Sequence, residues 1–369
     1  MRRGIVAFVT VIAALGAVSL GTEVSAHKTA VSPYTFHRDV VPIFEARCGQ
    51  CHQAGSPSGL DLFRYDTARG ASWRVRQMLA RNHMPPWFAE GAFKAPAPLT
   101  AQELNVLMTW ATGGAPEGKP QPRTMADLGG SWPLGNPDQI VAMPTTFTFT
   151  TDQGDLVHEA VLPARIGGRL IRAVDLLPGT RALVRSAEII ARSRASDVVL
   201  GVWQPGEFPA PLSIDAAVKA PANASLVVRI RYRRHYGDPD SDRSQVGLYF
   251  APTKTAVLRT WELNALHVSQ TFMVPRQMRV VALRPVSGPS GTIARLSVIE
   301  ADGSRRDFAR LQLQNDWRRR YVFATPMTLA ARSRLEISIT PSDSRLWASL
   351  TDERIDADSR VHVAIDFVP

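Results

Sequence analysis

From about Ile140 to the end of this 369-residue chain, the apolar residues stop recurring at helical spacing and begin to alternate with polar ones. The alternating runs are residues 145–150, 169–177, 181–190, 225–233, 246–251, 279–283, 292–299, 334–340 and 361–367. A period of two puts successive side chains on opposite faces of a strand, so each run predicts a strand with one buried face. Turn residues separate them: Pro178-Gly179, Pro205-Gly206 and Asp302-Gly303. Asp-Gly between two such runs is a hairpin signal. About 230 residues patterned in this way predict two all-β, jelly-roll-like sandwiches rather than one, placed at residues 141–253 and 254–369.

The front of the chain reads differently. Phe36, Val40, Ile43 and Phe44 follow helical spacing, and Asp66 is placed to cap a helix running to about Arg81. Thr100-Ala101-Gln102-Glu103 is a capping box, opening a helix on which Leu104, Leu107, Met108 and Ala111 share a face. Gly113-Gly114 ends it, and residues 119–140 read as a Gly/Pro-rich linker.

Between the first two of these helices stands Cys48-Gly49-Gln50-Cys51-His52, which contains both cysteines of the chain. A Cys-x-x-Cys alone serves equally as a redox dithiol or as half a zinc site. Here no second Cys-x-x-Cys exists, and a histidine follows directly, which is the pattern of covalent haem attachment. One haem c is therefore expected, with thioethers to Cys48 and Cys51 and with His52 as proximal axial ligand. The distal ligand is expected from Asn82-His83-Met84-Pro85-Pro86-Trp87. Pro85 and Pro86 take Met84 out of helical geometry and stiffen the loop that would present its thioether. Met78 reads as core packing, and His83 is the neighbouring substitute ligand.

The export signal agrees with this chemistry. Met1-Arg2-Arg3 is basic, residues 4–20 are small and apolar, and Val24-Ser25-Ala26 suits a signal peptidase. Residues 1–26 are expected to be a signal peptide, leaving an exported and periplasmic mature chain with no transmembrane span. The net charge of +10 points to an acidic redox partner protein, and no nucleic-acid motif is present. The predicted fold class is multidomain: a small all-α cytochrome c domain (27–118), the linker, then the two sandwiches.

The rear half carries a further signal. Ser241-Asp242-Arg243-Ser244-Gln245-Val246-Gly247-Leu248-Tyr249-Phe250-Ala251, the preceding run from Leu226 to Arg233, Trp203-Gln204-Pro205-Gly206 and Pro178-Gly179 together resemble the copper type II, ascorbate-dependent (peptidylglycine monooxygenase-like) monooxygenases. Several bacterial members carry a Cys-x-x-Cys-His segment and an MPPW-like loop in front, as here. The resemblance implies two facing sandwiches, each supplying part of a copper site. This chain departs at the ligand positions. The family's His-x-His falls on Arg231-Tyr232-Arg233, its His pair on Arg185-Ser186, and its His-Met-His on Gln270-Thr271-Phe272. Guanidinium groups have no lone pair to give a metal, so copper is not expected.

Arg229, Arg231 and Arg233 share a strand face, and Arg231 and Arg233 are candidates for an anion site; the alternative is ion pairing with nearby carboxylates. His235 is a candidate for residual metal binding, while His37, His158, His267 and His362 stand alone. The expected function is single-electron transfer through the haem, with copper-less sandwiches as docking or scaffold domains and no catalytic residues. The alternatives are a haem-fed copper monooxygenase and a binding module in which the haem is accessory.

Overall fold

The computed structural model describes residues 31–94, 99–122, 132–150, 155–206, 216–234, 237–314, 317–340 and 360–369. The expected signal peptide and His235 lie outside them. Among these residues a π-helical turn, Phe36–Val40, runs into α1 (Val41–Arg47). It is followed by α2 (Tyr65–Gly70), α3 (Ser72–Ala80), β1 (Ala89–Gly91) and α4 (Ala101–Thr112). The first β body holds β2 (Gln139–Ala142), β3 (Phe147–Thr148), β4 (Asp155–Arg165), β5 (Leu170–Leu177), β6 (Val184–Arg192) and β7 (Asp197–Trp203). It continues with β8 (Ala216–Lys219), β9 (Ser225–Arg233), β10 (Ser241–Asp242) and β11 (Gln245–Phe250). The second holds β12 (Ala256–Ala265), β13 (Ser269–Met273), β14 (Met278–Ser287), β15 (Ile293–Ile299) and β16 (Arg305–Gln312). It ends with β17 (Tyr321–Leu329), β18 (Arg334–Thr340) and β19 (Val361–Val368).

The β-sandwich character is as expected. One eight-stranded sheet, ordered β17-β14-β19-β12-β8-β5-β11-β2, runs through both bodies. Its β8-β5-β11-β2 end shares a core with the four-stranded sheet β4-β9-β6-β7, centred on Ile171, Leu183, Ile189, Val228 and Ile230. Its other end shares a second core with the five-stranded sheet β1-β16-β15-β18-β13, centred on Val280, Leu283, Leu296, Ile337 and Ile365. The two ends join where β12 pairs with β8 in parallel, Ala256 to Leu258 against Ala216 to Val218. Burial alternates on β9 as the pattern requires: Val228, Ile230 and Tyr232 are buried, while Arg229, Arg231 and Arg233 are half-buried. Asp302-Gly303 turns β15 into β16, with Gly303 at φ +85 where a side chain would be strained.

The predicted fold class is wrong in its front part. Among the described residues the molecule is mostly strand, with a few short helices, and no separate all-α cytochrome domain is present. The helices do share apolar contacts, around Phe36, Phe44, Leu107 and Trp110. The segment is nevertheless not self-contained, because its chain leaves to become part of a β-sheet. Ala89, Glu90 and Gly91 pair with Leu311, Arg310 and Ala309 at the edge of the five-stranded sheet. Ala89 and Phe93 lie in the second β core, with Trp87 packed against it. A three-residue edge strand is too short to show a period of two.

Two local expectations also change. The helix over 66–81 is broken at Gly70-Ala71 and has no side-chain cap, since Asp66 sits inside the first turn. On α4 the buried residues are Val106, Leu107 and Trp110, and Leu104 is exposed. Trp110 takes a place in the buried stripe. The capping box itself is formed: Glu103 N donates to Thr100 Oγ1 (3.1 Å) and Thr100 N to Glu103 Oε2 (2.7 Å). No helix among the described residues is long and apolar enough to cross a membrane.

Candidate functional site

The Cys-x-x-Cys-His segment is the continuation of α1. Cys48 N donates to Phe44 O (2.8 Å), and Cys51 N and His52 N both donate to Cys48 O (3.0 and 2.9 Å). One turn of backbone thus holds both thiols and the imidazole. Its entry is clamped by Arg47, whose Nε donates to Glu103 Oε1 (3.0 Å), tying the motif to the capping box of α4. Its exit is clamped by the following loop, where Leu62 N donates to His52 O (3.0 Å) and Ser56 Oγ to Cys51 O (2.5 Å). Leu62 lies in the apolar cluster of the helices, with Cys48, Leu60, Phe63 and Tyr65 packed around it.

The motif is also held by the first β body. Cys51 Sγ donates to Pro205 O (3.3 Å), and Arg181 Nη2 donates to Gln50 O (2.9 Å). Gly206 has φ +77, and a Cβ there would come within 2.8 Å of Cys51 Sγ. Only glycine allows the 205–206 turn to lie this close to the sulfur.

Electrostatics keep the three donors neutral. Burial pushes the Cys48 thiol up to about 12, with the neighbouring Cys51 adding to the effect. Burial pushes Cys51 up to about 11, against the opposing pull of the Arg181 charge. Each cysteine keeps some surface, yet both shifts point the same way. Burial also holds His52 below the usual imidazole range, with the Leu60 carbonyl opposing it. A neutral imidazole one residue after two thiols is a donor set that would suit a covalently attached haem. Met84 lies in a cis-proline turn, 39% exposed, and is not packed into a core.

Behind Arg181 stands a buried carboxylate. Asp242 is 1% exposed and accepts from three donors. Tyr232 Oη and Ser244 Oγ donate to its Oδ2 at 2.7 Å each, and Thr180 N donates to its Oδ1 at 2.7 Å. Tyr232 is itself stacked on Phe147, with ring centroids 4.7 Å apart. Thr180 Oγ1 donates to Ser241 O (2.7 Å), and a Cβ on Gly179 would meet Arg243 O at 2.7 Å. The Pro-Gly turn and the Ser-Asp-Arg-Ser segment, singled out in the sequence, therefore form one rigid unit. Sequence reasoning missed Asp242 as its hub and Arg181 as its reach to the motif. A charged residue within a segment otherwise rich in buried positions was the available signal for Asp242; Arg181 has no local one.

The arginine face is built of ion pairs. Arg233 forks onto Asp155 (2.6 and 2.8 Å), and Arg229 reaches Glu159 (2.6 Å) and Glu188 (2.8 Å). The charges of Arg233, Arg231 and Arg185 all hold the Asp155 carboxyl below the usual range, after its hydrogen bond to Arg233. Ser186 stands opposite Arg231 across the β6–β9 ladder. In the second β body Gln270 Oε1 accepts from Leu266 N (2.6 Å), and Phe272 packs edge-on against Trp261. A further cluster lies in the second body: Arg320 Nε donates to the buried Asp366 (2.7 Å), and Arg284, 3% exposed, lies 3.7 Å from Glu262. It reaches the first body where Arg320 Nη1 donates to Leu200 O (3.4 Å).

No family model matches this chain, and no curated protein matches it. Among solved structures it is similar to the major capsid protein P2 of bacteriophage PM2, at 10% identity, TM-score 0.28, and 62% of this chain against 96% of that one. It is also similar to the oxalate decarboxylase of Bacillus subtilis, at 8% identity, TM-score 0.18, and 61% against 77%. The VP2 subviral particle protein of infectious bursal disease virus is similar at 11% identity, TM-score 0.18, and 65% against 75%. Likenesses this distant carry no argument about this chain's fold or function.

Proposed function

We propose that this chain is an exported c-type haem protein that carries single electrons, with the two β bodies serving as the scaffold that holds the haem segment and docks its partner. The observation that carries this reading is the single backbone turn that presents both thiols and the His52 imidazole together. Haem bound there would be held by Cys48 and Cys51 through thioethers and by His52 through a ring nitrogen, and would supply one-electron redox chemistry. Met84 is the proposed distal ligand, on a stiffened loop, where a thioether favours ferrous iron relative to a second histidine.

The residues around the motif orient it. Arg47, Glu103 and Ser56 fix the turn, and Arg181 seats it on the first β body. The rival redox-dithiol reading is disfavoured by the same burial. Thiols raised to about 12 and 11 hold almost no thiolate near neutral pH, and thiolate is the reactive form. Arg229 and Arg233 of the first β body are engaged with carboxylates. The basic chain, at +10, suits an acidic protein partner.

The test is expression in a host that matures c-type cytochromes. Purified protein is expected to keep its haem through acid–acetone extraction, to show a reduced α-band, and to contain one iron. Cys48→Ser with Cys51→Ser is expected to abolish covalent haem. A haem-free product from the competent host would overturn the proposal, and stoichiometric copper in place of iron would favour the monooxygenase alternative.

A further inference from the structure

Among the described residues, hydrogen bonds join the first β body to the motif at Cys51, to Pro205, and at Gln50, from the charged Arg181. Arg181 Nη2 donates to Gln50 O, inside the Cys-x-x-Cys segment itself. The guanidinium is delivered there by a turn with little freedom. Thr180, the preceding residue, is bonded through its N–H to Asp242 and through its hydroxyl to Ser241 O. Asp242 is in turn fixed by Tyr232 and Ser244 in the β core. A chain of short hydrogen bonds thus runs from the interior of the sandwich to the haem attachment segment.

We propose that Arg181 is the positioning residue through which the first β body tunes the redox potential of the haem centre, by holding a permanent positive charge against the attachment turn. This rests on the haem reading above and deepens it. Ferric haem carries one more positive charge than ferrous haem, so a fixed cation beside the centre disfavours the ferric form. A guanidinium stays charged across the accessible pH range, so its effect does not titrate away. A unit charge within about 10 Å, at the effective dielectric of a protein surface, suffices for about a tenfold change in an equilibrium constant. The Pro178-Gly179 turn and Asp242 together aim this side chain.

The experiment is a spectroelectrochemical titration of the full-length holoprotein, alongside Arg181→Gln and Arg181→Lys, with covalent haem content and melting temperature measured on each. Arg181→Gln is expected to lower the ferrous-to-ferric ratio at fixed ambient potential about tenfold, equal to a fall of about 59 mV for one electron. Arg181→Lys, which keeps the charge, is expected to stay near the wild-type potential. A wild-type potential in Arg181→Gln, with haem content intact, would overturn the inference and leave the haem reading standing. An equal fall in both variants would overturn it too, since charge would then not be the cause. Absence of covalent haem from the wild-type protein would instead overturn the haem reading itself.

Discussion

Asp175 offers the sharpest test of the β architecture. It lies on β5, opposite Gly247 of β11, and is 3% exposed. Gly247 is covered by Trp132 and Pro137 of the connecting segment, so the carboxyl sits on a face that the connection shields from water. Its one hydrogen bond comes from Leu176 N (2.8 Å). Burial raises its pKa from 3.8 to about 6, outweighing the lowering by that bond. The carboxyl therefore binds its proton more tightly in the folded chain than in the unfolded one. Its penalty is absent below the unfolded value, grows as pH rises between the two values, and is complete above the folded one. A tenfold change in proton affinity is worth ~1.4 kcal/mol, so the complete penalty is about 3 kcal/mol. Asp175→Asn keeps the acceptor for Leu176 N and removes the ionisation. Urea melts at about pH 7.5 and about pH 5 are the assay, and linkage sets the expectation. The variant should be more stable than wild type by about 2–3 kcal/mol at the higher pH, and this margin should shrink by about half at the lower. A variant less stable than wild type at the higher pH would refute the account of a buried, ionisable carboxyl at this site.

Three other substitutions probe the support of the motif and of the sheets. Tyr232→Phe removes one of the three donors to the buried Asp242 and is expected to cost about 1.5–3 kcal/mol in urea melts, the range for a hydrogen bond to a charged group. Thr100→Ala breaks the capping box of α4 and is expected to cost about 1 kcal/mol in the same assay, with faster amide exchange in the first turn of that helix. Arg233→Ala removes an ion pair whose partners are 35% and 47% exposed, so its cost should stay below about 1 kcal/mol and fall further at high salt.

The strands that sequence alone located are those whose alternation is strong: 225–233 and 334–340 are found with the same bounds, and Asp302-Gly303 turns where an Asp-Gly pair should. Strands such as β4, β7, β12, β16 and β17 went unseen. Exposed Val157 and Val161 on β4, at 54% and 61%, blur the polar–apolar contrast that periodicity depends on. Arg229 and Arg233 show the limit of side-chain chemistry read in one dimension. A row of arginines on a strand face is legible, but whether it binds a ligand or its own carboxylates depends on Asp155, Glu159 and Glu188, each supplied by a neighbouring strand.

What the amino-acid order determined by itself is local. The pentapeptide at 48–52 places two thiols and an imidazole on one turn, because α-type backbone brings residues three and four apart together. Thr100 and Glu103 close a cap for the same reason, and a period of two makes sheets. What only the tertiary structure decided is where these pieces meet. The strap at 89–91 enters a distant sheet, Pro205 and Arg181 settle on the cysteine turn, and one continuous sheet spans both cores. Each of these meetings joins stretches far apart along the chain. They arise from the shared burial of faces that no short stretch of sequence can hide alone, and from backbone groups that find partners only once those faces have closed.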